Sequence, residues 1–423
     1  MKSLEIFPTK LEGQLVIQPS KSISHRVLIC AALAHGKSLL CRVGDSLDIQ
    51  ATKDGLREMG LANFSDFGSV LEIRGYGGLS KKKKAIVDCK ESGSTLRFLL
   101  PLALACDIET FFTGSGRLFH RPMRPFIEAL VKGGAIIEEK ADGIMVKGRL
   151  AAGIYQIPGH ISSQYISGLL LALPLLKEPS VIQITGELQS ADYVDLTHDT
   201  QRSFGINNYI SRKKINIVPG KYHSSNYEVE GDWSHAAFYL TAGFLGSDIR
   251  CLGLNRDSKQ GDRRILDILQ SMGGHLISYA QGIKITAAQA CTNIIDAAQI
   301  PDLVPILVVA ACGIRGETRI INAERLRLKE SDRLAAISEG ITALGGNIRV
   351  RPDGLDIIGT TVLRGGYVSA WGDHRIAMAL AIASSICSQP VILSGYKTVA
   401  KSAPHFWQEF SSLGGKINER ILG

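Results

Sequence analysis

Gln18–Ala34 reads QPSKSISHRVLICAALA. A strand-like run, Leu15-Val16-Ile17, ends at Pro19, hydroxyls and cations follow, and an apolar helix pattern takes over. The same order of strand, polar loop and apolar helix returns five more times. The copies are IVDCKESGSTLRFLLPLALA, YQIPGHISSQYISGLLLALP, YEVEGDWSHAAFYLTAGFL, IIDAAQIPDLVPILVVAAC and VSAWGDHRIAMALAIASSI. A second phrase alternates with it: an amphipathic helix ending in glycine, then a short apolar run. Its glycines are Gly60, Gly133, Gly205, Gly273, Gly345 and Gly414, spaced by 73, 72, 68, 72 and 69 residues. Glycine just past a helix end supplies the left-handed turn. In the first five copies a further strand follows, twice behind an Asp-Gly hairpin signal, Asp142-Gly143 and Asp353-Gly354.

The unit is therefore strand, helix, strand, helix, strand, strand, and six copies of about 70 residues account for nearly the whole chain. Runs such as LLLALPLL and ILVVAAC have no polar face, so copies must pack these helices together to bury them. The expected fold is α/β, two domains of three repeats each, inverse α/β barrel-like, with helix N-termini facing an interdomain cleft. The polar segment Lys221–Asn226 suggests the boundary: residues 14–225 in one domain, 1–13 and 226–423 in the other.

Composition narrows the class. With 45% hydrophobic and 21% charged residues the chain has a globular profile, and its formal charge of +8 suits nucleic acid, a membrane surface or small anions. The basic run Lys81–Lys84 has no interleaved aromatics, so it reads as a solvated loop rather than a nucleic-acid patch. No apolar run reaches the ~18 residues of a membrane span, and MKSLEIFPTK lacks a signal-peptide core. Eight scattered cysteines, none in a CxxC pair, point to a reducing cytoplasm and to no metal site.

Lys and Arg at a helix N-terminus oppose the macrodipole, which suggests that an anion belongs there. Loop one carries Lys21, Ser22 and Arg26, and loop two Glu91, Ser92, Gly93, Ser94 and Arg97. Loop three carries Ser162, Ser163 and Gln164, and loop five Asp302. Loop six carries Asp373, His374 and Arg375. RLRLKESDRL adds Arg325, Arg327, Lys329, Glu330, Asp332 and Arg333, GSGRLFHRPM adds Arg117, His120 and Arg121, and VAKSAPHF adds Lys401. Each has a plainer reading. Ser162 and Asp302 would cap helices, Lys329 and Arg333 would share a solvated helix face, and loop four, GDWSHAA, would be plain capping by Asp232 and Ser234. Taken together, cations from several loops with few acids describe a site for more than one anionic group.

PSKSISHR, GSTLR, HRPM, SSQY, IPDLVP, RLKESDR, GDHRIAMA and AKSAP occur in one order along the whole chain. In that order they resemble the 5-enolpyruvylshikimate-3-phosphate synthase (3-phosphoshikimate 1-carboxyvinyltransferase) family. The resemblance implies transfer of the enolpyruvyl group of phosphoenolpyruvate to the 5-hydroxyl of shikimate 3-phosphate, by a cytoplasmic monomer that closes over its substrates without cofactor or metal. It places Ser22 and Arg26 on the shikimate carboxylate, and Ser162, Ser163, Ser190, Arg325 and Lys329 around the shikimate phosphate or ring hydroxyls. Gln164 and Tyr193 would line the shared pocket. Lys21, Gly93, Arg121 and Lys401 would hold the phosphate of phosphoenolpyruvate, and Arg333 and Arg375 its carboxylate. Asp302 would be the base toward the 5-hydroxyl, while Glu330, with Lys21 nearby, would handle the methylene proton.

Two positions depart from the family pattern: Glu91 stands where many relatives carry asparagine, and Arg325 where some do; Arg97 is a candidate partner for Glu91. The rival readings are a UDP-N-acetylglucosamine enolpyruvyl transferase and a non-catalytic anion-binding protein. The first typically has asparagine after the loop-one lysine and a cysteine in a mobile loop; here Ser22 follows Lys21, and residues 114–125 contain no cysteine. The second would not need Asp302 and Glu330 beside the cations.

Overall fold

A computed structural model describes residues 2–287 and 291–421. The described strands form six four-stranded sheets, one per repeat. The second copy shows the plan. Strand Lys84–Asp88 lies parallel to Glu109–Thr113 across the helix Gly93–Ala105. Helix Arg124–Lys132 then leads into the hairpin Ala135–Lys140 and Gly143–Gly148, whose second strand returns antiparallel beside Glu109–Thr113. A parallel pair needs a crossover and an antiparallel pair only a turn, so this order follows from the connection lengths. In the sixth copy the N-terminal strand Lys2–Ile6 fills the place next to Val391–Ser394.

The chain divides into two compact units, residues 19–230 and residues 1–18 with 231–423. The expected limits of 14 and 225 lie five residues short, for a reason in strand pairing. Glu12–Val16 precedes the first core helix but pairs parallel with Asp248–Leu252, in the fourth copy's sheet. Asn226–Glu228 precedes the fourth core helix but pairs with His35–Cys41, in the first copy's sheet. The two copies thus exchange their first strands.

Six helices, one behind each polar loop, carry the cores. In Val304–Cys312 and His374–Ala383 every residue is buried. These two pack against each other and against Trp233–Phe244 in one unit. In the other, Gly93–Ala105 packs on Ser163–Ala172, and Arg26 of Lys21–Leu33 lies 5.1 Å over the Phe98 ring. A helix with sister helices on one side and its own sheet on the other has no wet face, which explains the unbroken apolar runs. Ser20, Ser92, Ser162, Asp232 and Asp373 cap five of these helices through their side chains. Cys30, Cys89, Cys251, Cys312 and Cys387 are buried as small hydrophobes, and all eight thiols are free.

Both Asp-Gly pairs lie at hairpins, but their glycines do not take the left-handed turn conformation. A side chain on Gly143 would press on the Phe112 carbonyl, and one on Gly354 on the Ile320 carbonyl. These glycines admit a neighbouring strand instead. Lys82 and Lys83 pair with Glu58 and Asp107 in an exposed loop, while Lys84 begins strand Lys84–Asp88 and pairs with Glu109. No described helix is long and apolar enough to cross a membrane.

Candidate active site

Each unit gathers one cluster of the predicted residues. In residues 19–230, Ser20 caps the first core helix, so Lys21 and Ser22 sit on its opening turn. The Lys21 ammonium lies 2.8 Å from Asp48, which comes from the first turn of helix Leu47–Glu58. Arg26 is buried and heavily bonded. It donates to Thr197 Oγ1 at 2.7 Å, the Ser22 carbonyl at 2.7 Å, Ser167 Oγ at 3.2 Å and the Tyr193 carbonyl at 3.0 Å. Four acceptors occupy four of its five N–H groups, leaving one on Nη1. Burial pushes its pKa down to about 10, with Tyr193 opposing, so it stays charged at neutral pH. Burial, with Lys21 and Arg26 adding to it, holds the neighbouring His25 well below the usual imidazole range.

Loops two and three meet at Gln164. Its side-chain oxygen accepts from Arg97 at 2.6 Å, and its amide donates to Ser94 at 2.9 Å. Gly93 lies against this junction: a Cβ there would fall 2.8 Å from Arg121 Nη1 and 3.2 Å from Arg97 Nη1. Ser162 caps its helix, accepting from the Gln164 amide at 3.3 Å, and Ser163 begins it. Ser190 is buried in the left-handed region, φ 53°, just ahead of Tyr193, a conformation rare outside glycine and asparagine. Arg97 does not pair with Glu91, contrary to expectation. It reaches Gln164 and the Pro122 carbonyl, while Glu91 folds over Gly116.

In the other unit Asp302 is no helix cap. It sits in the short turn Pro301–Leu303, and its carboxylate meets three cations: Arg333 at 2.7 Å, Arg375 at 3.3 Å and Lys329 at 3.8 Å. Arg333 is likewise no solvated residue; it is buried and also bonds Asp373 at 2.8 Å, with Glu330 at 3.9 Å. Asp373 is fully buried and accepts from the Arg375 amide at 2.9 Å and from Ser331 at 3.1 Å. Glu330 meets the His374 Nδ1 at 2.8 Å. Arg325 donates to the Ala298 carbonyl at 2.9 Å, and the Lys401 ammonium to the Gly372 carbonyl at 2.6 Å.

Burial alone would raise the Asp302 pKa, but Arg375, Lys329 and Arg333 outweigh it and hold the group well below the carboxylate range. Arg333 is held above its usual value by Asp373, Asp302 and Glu330, against burial. Lys329 moves the other way: burial, then Arg325, Arg333 and Arg375, push it down to about 7 despite the nearby Asp302. Asp262, bonded by the Ser234 hydroxyl, is pushed up to about 6 by burial and by Asp302. Two neighbouring carboxyls are thus shifted in opposite directions, Asp302 down and Asp262 up.

Sequence reasoning missed Asp48, Asp262 and the bonding roles of Asp373 and His374. It expected few acids, yet carboxylates surround Arg333. Ligand atoms of Glu330, Asp373 and His374 lie within 4.8 Å of one another, as a metal site would require. There the Arg333 guanidinium supplies positive charge to both carboxylates.

Residues 7–410 match the family model described as EPSP synthase (3-phosphoshikimate 1-carboxyvinyltransferase). A 3-phosphoshikimate 1-carboxyvinyltransferase of Clostridium perfringens is 45% identical over 98% of this chain and 99% of the relative. One of Clostridium kluyveri is 44% identical over all of both chains. The solved EPSP synthase of Acinetobacter baumannii superposes with a TM-score of 0.81 at 25% identity, covering 100% of both chains. The enolpyruvyl transferase NikO of Streptomyces tendae shares the fold, with a TM-score of 0.81 at 16% identity over 100% of this chain and 99% of that one. Six repeats, their loop chemistry and a match along nearly the whole length agree: the chain belongs to the EPSP synthase family.

Proposed function

We propose that this protein transfers the enolpyruvyl group of phosphoenolpyruvate to the 5-hydroxyl of shikimate 3-phosphate and releases phosphate, a step of the shikimate pathway in aromatic amino-acid biosynthesis. The observation that carries the chemistry is the Asp302 carboxylate, held ionised at the mouth of a core helix among Arg333, Arg375 and Lys329. The named relatives favour shikimate 3-phosphate over a UDP-sugar as acceptor.

In this reading Ser22 and the spare Arg26 N–H hold the shikimate carboxylate. Ser162, Ser163, Ser190, Arg325 and Lys329 receive its phosphate and hydroxyls, and Gln164 and Tyr193 line the pocket. Lys21, Gly93, Arg121 and Lys401 take the phosphate of phosphoenolpyruvate, while Arg375 and Arg333 take its carboxylate. Planar guanidinium forks match carboxylates well. These residues are divided between the two units, so closure of the units on the substrates belongs to the proposal, as do a cytoplasmic location and a monomeric state.

The steps follow from charge. A proton from Glu330, which His374 bonds at 2.8 Å, reaches the methylene carbon and leaves C2 electron-poor. The 5-oxygen bonds to C2 and its proton passes to Asp302, giving a tetrahedral intermediate. The new methyl group returns its proton to Glu330, the C2–O bond breaks with its electrons leaving on phosphate, which carries off the proton held by Asp302, and an enol ether remains. Incoming anions turn the cations away from Asp302, which lets its pKa climb and makes it a better base than in the free protein. Replacing Asp302 by Asn should lower kcat about 10²- to 10⁴-fold. Calorimetry should show shikimate 3-phosphate binding mostly retained. Turnover that survives the change would remove Asp302 from the chemistry.

A further inference from the structure

Loop four contributes no residue to the substrate assignments above, yet the helix it opens, Trp233–Phe244, carries a buried polar network. The Glu409 carboxylate meets His235 Nε2 at 2.7 Å and accepts from the Tyr239 hydroxyl at 2.8 Å. The His235 side chain is 2% exposed and that of Glu409 13%. His235 Nδ1 is buried without a partner, so Nε2 carries the proton that Glu409 accepts. Burial opposes ionisation of Glu409, but His235 and Tyr239 outweigh it and keep the carboxylate charged.

Packing alone does not require this arrangement. Phe406 already packs among Tyr239, Trp407 and Phe410, edge-on to Trp407 and tilted to the other two, at centroid distances of 6.0, 5.0 and 6.1 Å. An apolar residue at 409 would suit such a cluster, and exchanging buried charge for apolar contacts is often neutral for stability. What the polar bonds add is register. Helix Phe406–Ser412 has seven residues, too few to hold itself in place. It begins five residues after Lys401. Its Trp407 indole donates to the Tyr396 carbonyl at 3.0 Å, at the head of the turn Tyr396–Lys401. The Ser402 carbonyl accepts from Gln18 at 2.9 Å, and Lys401 itself reaches Gly372. Glu409 therefore anchors, through Trp407 and Tyr396, the segment that presents Lys401.

We infer that Glu409, bonded by His235 and Tyr239, is a positioning residue that sets where Lys401 meets the phosphate of phosphoenolpyruvate; the functional half of this inference rests on the Lys401 assignment above. The test uses the full chain in three variants, Glu409→Leu, Glu409→Gln and Lys401→Met, with hydrogen exchange of residues 396–405 beside steady-state kinetics. Glu409→Leu should speed exchange in that segment and raise KM for phosphoenolpyruvate about ten- to a hundredfold, the scale of an ångström-level misplacement. It should spare KM for shikimate 3-phosphate. Glu409→Gln keeps one acceptor oxygen and should restore most of the loss, which also covers the case of a Leu variant that does not fold. In the Lys401→Met background the Leu change should add nothing further.

Unchanged exchange in folded Glu409→Leu overturns the anchoring. Faster exchange with an ordinary KM for phosphoenolpyruvate overturns the positioning role, provided Lys401→Met is impaired. If Lys401→Met is itself unimpaired, the phosphate assignment of Lys401 fails and the exchange data alone decide whether Glu409 anchors the segment.

Discussion

Lys329 is where the electrostatics make their sharpest demand. A third of its side chain reaches solvent, yet burial of the ammonium and three arginines push it down to about 7. If it receives the phosphate of shikimate 3-phosphate, binding raises its pKa again. Below pH 7 it is charged in both states and adds no pH dependence. Above pH 7 binding must take up a proton, so KM for shikimate 3-phosphate should rise with pH, approaching tenfold per unit. Kinetics between pH 6.5 and 9 would show this, and Lys329→Arg, charged throughout, should flatten the profile. A wild-type KM that stays level across that range counts against a titrating Lys329. The acids around these cations were not legible in the sequence. Asp48 lies 27 residues from Lys21, and Asp262 lies 28 from Ser234. No local pattern joins them; only the folded loops do.

Repeats made the elements legible. A glycine-ended helix returning about every 70 residues fixes the order of strands and helices, because each copy repeats one solution to burying an apolar helix. The exchange of first strands between copies one and four was hidden for the same reason. Glu12–Val16 and Asn226–Glu228 occupy equivalent places, and strand pairing is non-local. The hairpin glycines were found at the right sites for the wrong cause. Because Gly354 faces the Ile320 backbone, which cannot step aside as a side chain can, Gly354→Ala should cost ~1–3 kcal/mol. Gly153, which faces open space, should tolerate alanine. Urea denaturation of both variants checks this, and equal stability of the two would contradict it.

At the scale of the molecule, a net charge of +8 and two clusters of cations suit substrates that each carry a phosphate and a carboxylate. Many of the assigned binding residues lie in short polar loops at the heads of the core helices, so the loops that carry the cations were legible before any fold was known. Their sharing out between two units was readable as well, from the repeat count. The acceptor was not, since both sister chemistries use the same repeats and the same donor; only the resemblance and the named relatives separate them. The decisive measurement is phosphate release from phosphoenolpyruvate with shikimate 3-phosphate, with UDP-N-acetylglucosamine, and with no acceptor. Release only with shikimate 3-phosphate is the predicted result. Release with the sugar nucleotide, or with neither acceptor, would contradict it.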